Sequence, residues 1–165
     1  MNLNTYIYSV IYVHARPRRI PMLLDWEEPV LYFVTLCVRV RQPVLAKRQI
    51  YDAFLNGISF IQSWTVRAAV IMPDHLHALV NPLDRDASVS AFSRLIKRSI
   101  TSACPDRTWA WQQGCFDHLL RPTESASDKL AYMLVNPVRA GLVRSWRDWP
   151  YTYLSKHVDV SDFPA

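Results

Sequence analysis

Two apolar runs, TVRAAVIM (65–72) and HLHALV (75–80), are separated only by Pro73 and Asp74. Both runs are rich in β-branched and aliphatic residues, as strands are. Proline and aspartate suit the two central positions of a type I turn. The pair therefore predicts a β-hairpin, which commits the middle of the chain to an antiparallel sheet.

The flanking segments extend the pattern. PVLYFVTLCVRV (29–40) is β-branched and aromatic and reads as a central strand. AKRQIYDAFLNGISFIQ carries Ile50, Phe54, Leu55, Ile58 and Ile61 at helical spacing. ASVSAFSRLIKRSITSA repeats that spacing with Val89, Phe92, Leu95, Ile96 and Ile100, leaving Arg94, Lys97 and Arg98 outward. RTWAWQQGCFDHLLR suggests a strand, a Gln-Gly turn and another strand. In SASDKLAYMLVN a helix is predicted, with Ser125 and Asp128 resembling a capping box. Pro137 is expected to end or bend that helix, and PVRAGLVRSW to form a short further one stopping near Gly141. The resulting order is βαββαβ plus a C-terminal helix: a ferredoxin-like or RRM-like α+β sandwich, with an antiparallel sheet and helices on one face. One domain over residues 1–165 is expected, with residues 1–20 as an extended basic arm.

Half of the 165 residues are hydrophobic, enough for one core. Lysine and arginine outnumber acidic residues by 19 to 14, which suits a polyanionic partner. The three cysteines, Cys37, Cys104 and Cys115, contain no CxxC pair, so a disulfide framework is not expected and a reducing cytoplasm fits. No apolar run is long enough for a membrane span. The early apolar stretch precedes its arginines, the wrong order for a secretory signal.

Alternation along a strand sends His75 and His77 to one face, roughly 6–7 Å apart at about 3.3 Å per residue. Leu76 and Ala78 face the other way, toward the helices. Two neutral imidazoles so placed can hold one divalent cation, although paired histidines also occur as plain surface or hydrogen-bonded residues. Tyr132 and Asn136 lie four apart on the predicted third helix and share a face, with Asp128 one turn earlier. The apolar stripe of that helix is Leu130, Met133 and Leu134, so Tyr132 stands off the core. Joined to the histidines, these residues suggest a mechanism. Asn136 supplies a third ligand, the cation polarises a phosphate, and the Tyr132 hydroxyl attacks phosphorus. Such a site suits Mg²⁺ or Mn²⁺ at least as well as Zn²⁺.

MPDHLH, WQQGCFDHLLR and YMLVNPVRAGLV occur in this order. Together they resemble the single-tyrosine HUH transposases, and specifically the REP-associated tyrosine transposases of bacteria, over most of the chain. The resemblance implies His75 and His77 as metal ligands, Tyr132 as nucleophile, and Asn136 where the wider family has glutamine. It also implies single-stranded DNA hairpins of repetitive extragenic palindromes as substrate. Cutting and rejoining would pass through a 5′-phosphotyrosine, with no nucleotide cofactor, in a cytoplasmic protein acting as a monomer.

His118 is a candidate neighbour of the site, as phosphate contact or proton carrier, or else a structural hydrogen-bond partner. Asp74 reads as a turn former. Arg16, Arg18 and Arg19 in the arm, Arg94, Lys97 and Arg98 on the second helix, and Arg121 and Arg139 within the motifs are candidate DNA contacts. Trp109, Trp111, Trp146 and Trp149 are core or lid residues, or platforms for unpaired bases. Two alternatives stay open: a catalytically silent module that binds structured DNA or RNA, and a metallohydrolase using activated water.

Overall fold

The computed structural model describes residues 30–161 except Arg85 and Pro122. The arginines of the expected N-terminal arm, Arg16, Arg18 and Arg19, lie outside the described residues.

The Pro-Asp hairpin forms between β2 (Trp64–Ile71) and β3 (His75–Pro82), which pair antiparallel from Trp64↔Pro82 to Ile71↔Leu76. Beyond the ladder the Met72 N–H donates to the His75 carbonyl at 2.8 Å. Strand β1 (Tyr32–Cys37) runs antiparallel on the other side of β3. β4 (Phe116–Leu119) and a short β5 (Thr152–Leu154) close the edges, giving the order β4-β1-β3-β2-β5. The sequence pattern did not predict β5, which has only three residues.

Two apolar layers cover the sheet. On one face, α1 (Arg48–Ser59) and α2 (Val89–Ser102) bury Ile50, Phe54, Phe92, Ile96 and Ile100 against Val34, Leu36, Leu76 and Ala78. On the other, α3 (Ala126–Arg139) buries Leu130, Met133 and Leu134 against Val70, Met72 and Leu79. The alternation of β3 thus separates Leu76 and Ala78 from His75 and His77, as the sequence requires.

Several elements differ from expectation. β1 stops at Cys37 instead of Val40, because Val40 and Arg41 take left-handed backbone angles, φ 59° and 54°, in a short 3-10 turn (Arg39–Arg41). That break leaves RTWAWQQG with a single bridge, Val38↔Trp111, in place of a strand. Pro137 does not end the third helix: α3 continues to Arg139, residues 140–145 form no further helix, and only a short 3-10 turn (Trp146–Asp148) follows. Proline in the last turn forfeits one hydrogen bond, and the Ala140 N–H still closes on the Asn136 carbonyl at 2.9 Å. The stop comes at Gly141, whose φ of 69° is the left-handed conformation that glycine tolerates after a helix. At the other end the Ser125 hydroxyl accepts from the Asp128 N–H at 3.1 Å, half of the expected capping box. Leu95 is not a core residue; α2 is rotated so that Ser93 is buried and Leu95 exposed. The four late tryptophans pack into the two apolar clusters.

Candidate active site

His75 and His77 project from β3 toward α3. Their Nε2 atoms converge at 3.0 Å, while each Nδ1 is held from behind. Asp74 Oδ1 lies 2.6 Å from His75 Nδ1, and Thr35 Oγ1 on the neighbouring strand lies 2.8 Å from His77 Nδ1. Thr35 reaches His77 because β1 and β3 pair them directly. Phe33 stacks on the His77 ring at 4.9 Å between centroids, interplanar angle 29°.

This enclosure sets the charge of the pair. Desolvation pushes His77 down to about 3, with the neighbouring His75 and Arg41 acting in the same direction. His75 is also lowered by desolvation, partly opposed by the Asp74 carboxylate. Both imidazoles are therefore neutral near pH 7, the form in which a ring nitrogen can donate a lone pair.

α3 crosses over the pair. The Tyr132 ring lies 6.1 Å from His77 and 6.2 Å from Phe33, yet Tyr132 remains 46% exposed. The Arg139 guanidinium sits 5.6 Å from the centre of the Tyr132 ring. Asn136, one turn beyond Tyr132, has a buried Nδ2 without a hydrogen-bond partner. Asp128, one turn before, is exposed and borders an open cleft with Glu124, Lys129, Phe33 and Tyr132.

His118 pairs with Phe33 across β1 and β4 and so belongs to the same face of the sheet. Its Nε2 contacts both Glu124 carboxylate oxygens at 2.8 and 2.9 Å, and Glu124 also accepts from the Arg121 N–H at 2.9 Å. The His118 ring is therefore tied to the rim of the cleft leading to Tyr132.

The basic residues divide. Arg139 stands over Tyr132, and Arg121 is exposed at the cleft rim. Arg94, Lys97 and Arg98 belong to α2, on the far side of the sheet from the tyrosine. Arg94 and Arg98 are exposed there, but Lys97 is not outward: its ammonium donates to the carbonyls of Gln112, at 2.7 Å, and Gly114. Desolvation lowers its pKa. A lysine read from helical spacing as solvated instead straps the loop before β4.

Sequence reasoning missed Thr35 and Arg41, and took Asp74 for a turn former alone. Arg41 Nε lies 2.5 Å from Asp74 Oδ2, behind His75. An aspartate directly before a histidine was a usable signal. Nothing in the sequence pattern indicates which residue of β1 falls opposite His77.

No family model matches the chain. It is 28% identical over 148 residues to a REP-associated tyrosine transposase of Escherichia coli K12, covering 81% of this chain and 88% of that protein. It is 26% identical over 156 residues to a putative REP-associated tyrosine transposase of Haemophilus influenzae, covering 85% and 88%. Among solved structures, a REP-associated tyrosine transposase bound to a REP hairpin superposes with a TM-score of 0.68 at 22% identity, covering 89% of this chain and 95% of that one. This last likeness bears on the fold: the βαββαβ sheet with its added helix is shared. Over most of its length, the chain is similar to proteins named REP-associated tyrosine transposases.

Proposed function

We propose that this protein nicks and rejoins single-stranded DNA beside a hairpin of a repetitive extragenic palindrome, with Tyr132 as nucleophile. The observation that carries the reading is the placement of an exposed tyrosine whose ring lies 6.1 Å from that of the buried His77, one of two converging neutral histidines. The homologues' names and the hairpin bound to the structural neighbour supply the substrate class.

The donor set fits a divalent cation. Two neutral ring nitrogens 3.0 Å apart are close enough that both would hold one ion. Asn136 offers a buried amide end without a partner; its oxygen and nitrogen exchange by a simple flip. Among the described residues no group of three or more His, Cys, Asp and Glu side chains is arranged to hold a metal ion without other ligands. Few protein ligands suit Mg²⁺ or Mn²⁺, which substrate phosphate oxygens and water complete. His75, His77 and Asn136 would hold the ion. When bound, it supplies Lewis-acid polarisation of the scissile phosphate.

The chain's own residues do the rest. Phe33 and the floor of α3 hold the Tyr132 ring beside the histidines, so nucleophile and phosphate meet in a fixed geometry. The Tyr132 oxygen bonds to phosphorus as the bond from phosphorus to the 3′-oxygen breaks. The phenol proton ends on the released 3′-hydroxyl. Arg139, over the ring, favours the negative charge developing as that proton leaves. The phosphotyrosine retains the phosphodiester energy, so rejoining needs no nucleotide cofactor. His118, fixed by Glu124, is a proton carrier or phosphate contact at the cleft, and Arg121 and Arg139 contact the DNA backbone.

The test is a denaturing gel of a hairpin oligonucleotide incubated with protein and Mg²⁺ or Mn²⁺. A covalent protein–DNA band is expected, lost in Tyr132→Phe with hairpin binding retained. A chelator should abolish cutting and spare binding. Cleavage without an adduct would point to an activated-water hydrolase, and binding without cleavage to a silent module. Either outcome overturns the reading.

A further inference from the structure

We infer that Asp74, clamped by Arg41, is a positioning residue that fixes His75 with its proton on Nδ1 and a bare Nε2 turned toward His77. The inference rests on the proposed cation site for its functional meaning, but its structural content stands on the protein alone.

His75 Nδ1 has two polar neighbours: Asp74 Oδ1 at 2.6 Å and an Arg41 terminal nitrogen at 3.3 Å. An ionised carboxylate only accepts, and a guanidinium only donates. One ring nitrogen cannot satisfy both. The opposite tautomer would set the Nδ1 lone pair against a carboxylate oxygen at 2.6 Å, a repulsive contact. Nδ1–H therefore donates to Asp74, and the lone pair resides on Nε2, the atom facing His77. Arg41 binds the other carboxylate oxygen through Nε at 2.5 Å. Its second terminal nitrogen donates to Cys37 Sγ at 3.1 Å. The guanidinium is thereby pinned between the end of β1 and the turn before β3.

The backbone serves the same arrangement. The Val38 N–H donates to the Asp74 carbonyl at 2.9 Å and the Leu45 N–H to the Pro73 carbonyl at 2.7 Å, so the loop after β1 straddles the Pro-Asp turn. Within that loop Val40 and Arg41 both have left-handed φ. A β-branched residue rarely adopts that conformation, and such outliers persist where surrounding contacts hold them. Here those contacts hold Arg41 against Asp74. A carboxylate behind a ligating histidine is a recurrent way to fix tautomer and ring orientation.

The test uses ¹⁵N-labelled full-length protein treated with chelator, with histidine tautomers read from long-range ¹H–¹⁵N spectra. Wild type should show His75 protonated on Nδ1. Asp74→Ala should lose that signature. Its Mn²⁺ affinity, followed by the EPR signal of free Mn²⁺, should fall about 10- to 100-fold. Arg41→Ala should fall in the same direction and Arg41→Lys should recover part of the loss, which a merely structural role would not predict. Urea midpoints check folding. Asp74→Asn, which keeps the shape and one acceptor, serves if Asp74→Ala does not fold, and should show a smaller loss. If His75 keeps its Nδ1 proton in Asp74→Ala, or, where that variant does not fold, if Asp74→Asn binds Mn²⁺ as tightly as wild type, the inference is overturned. If wild type binds no Mn²⁺, the cation site fails instead, and the tautomer comparison still decides the role of Asp74.

Discussion

The rings of His77 and Tyr132 lie 6.1 Å apart, one on the third strand and the other on the last helix. Phe33 stacks on the first and meets the second edge-on. The three rings bring residues from distant parts of the sequence into one corner of the sheet.

Phe33 is accordingly expected to set the geometry of attack. Phe33→Leu keeps an apolar side chain but loses the flat surface against His77. Misplacement of reacting groups by about 1 Å costs on the order of 100-fold. Adduct formation by Phe33→Leu should fall about 10- to 100-fold with hairpin affinity unchanged, measured by single-turnover gels and binding titration. A parallel loss of binding would mean that Phe33 contacts DNA instead.

Burial of the neutral histidines gives a pH dependence of stability. His77 is lowered to about 3, and His75 in the same direction; an unfolded histidine titrates near about 6.5. Between those values the unfolded chain binds a proton that the folded site refuses. For His77, stability is thus full above about pH 6.5 and declines as pH falls toward about 3, by up to about 1.4 kcal/mol per pH unit, and His75 acts in the same direction. Urea unfolding of chelator-treated protein should show a lower midpoint at pH 5 than at pH 7, and His77→Gln should reduce the difference. An unchanged wild-type midpoint contradicts the assigned burial.

Gly57 lies where α1 meets α2. A Cβ there would sit 2.9 Å from both Cβ and Oγ of Ser99. The Ser99 hydroxyl is tied to the Ala53 carbonyl at 2.7 Å and cannot simply turn away. Helix propensity favours alanine over glycine by about 1 kcal/mol, but overpacking costs about 1–3 kcal/mol. Gly57→Ala should be net destabilising in urea melts, and adding Ser99→Gly should restore the loss.

Val40 is 83% exposed and has a φ of 59°. It packs little and carries left-handed strain of about 1–3 kcal/mol. Glycine adopts this conformation freely, at an entropic cost of about 0.5–1 kcal/mol. Val40→Gly should therefore raise stability by about 1 kcal/mol, read as a higher urea midpoint; a lower midpoint would show that the loop is not strained.

The sequence made the architecture legible where local rules and burial agree. Pro-Asp between two β-branched runs placed the hairpin, alternation put His75 and His77 on one face, and helical spacing put Tyr132 one turn before Asn136. It failed where tertiary contacts outvote local preference. Pro137 did not break α3, because in the last turn it sacrifices only one bond. Lys97 looked solvated on a helical wheel, yet loop carbonyls capture it. The strand expected before Gln112 was lost to the left-handed turn at Val40 and Arg41.

The sequence by itself determined the chemistry available, two imidazoles, a phenol and an amide, and the element carrying each, because period and turn chemistry are local. Only the tertiary structure decided that α3 lies across the histidine face, that β1 sets Thr35 behind His77, and that Arg41 reaches Asp74 behind His75. Strand register and helix docking arise from packing between distant segments. The spacing of residues along the chain carries no record of which side chain will stand opposite which.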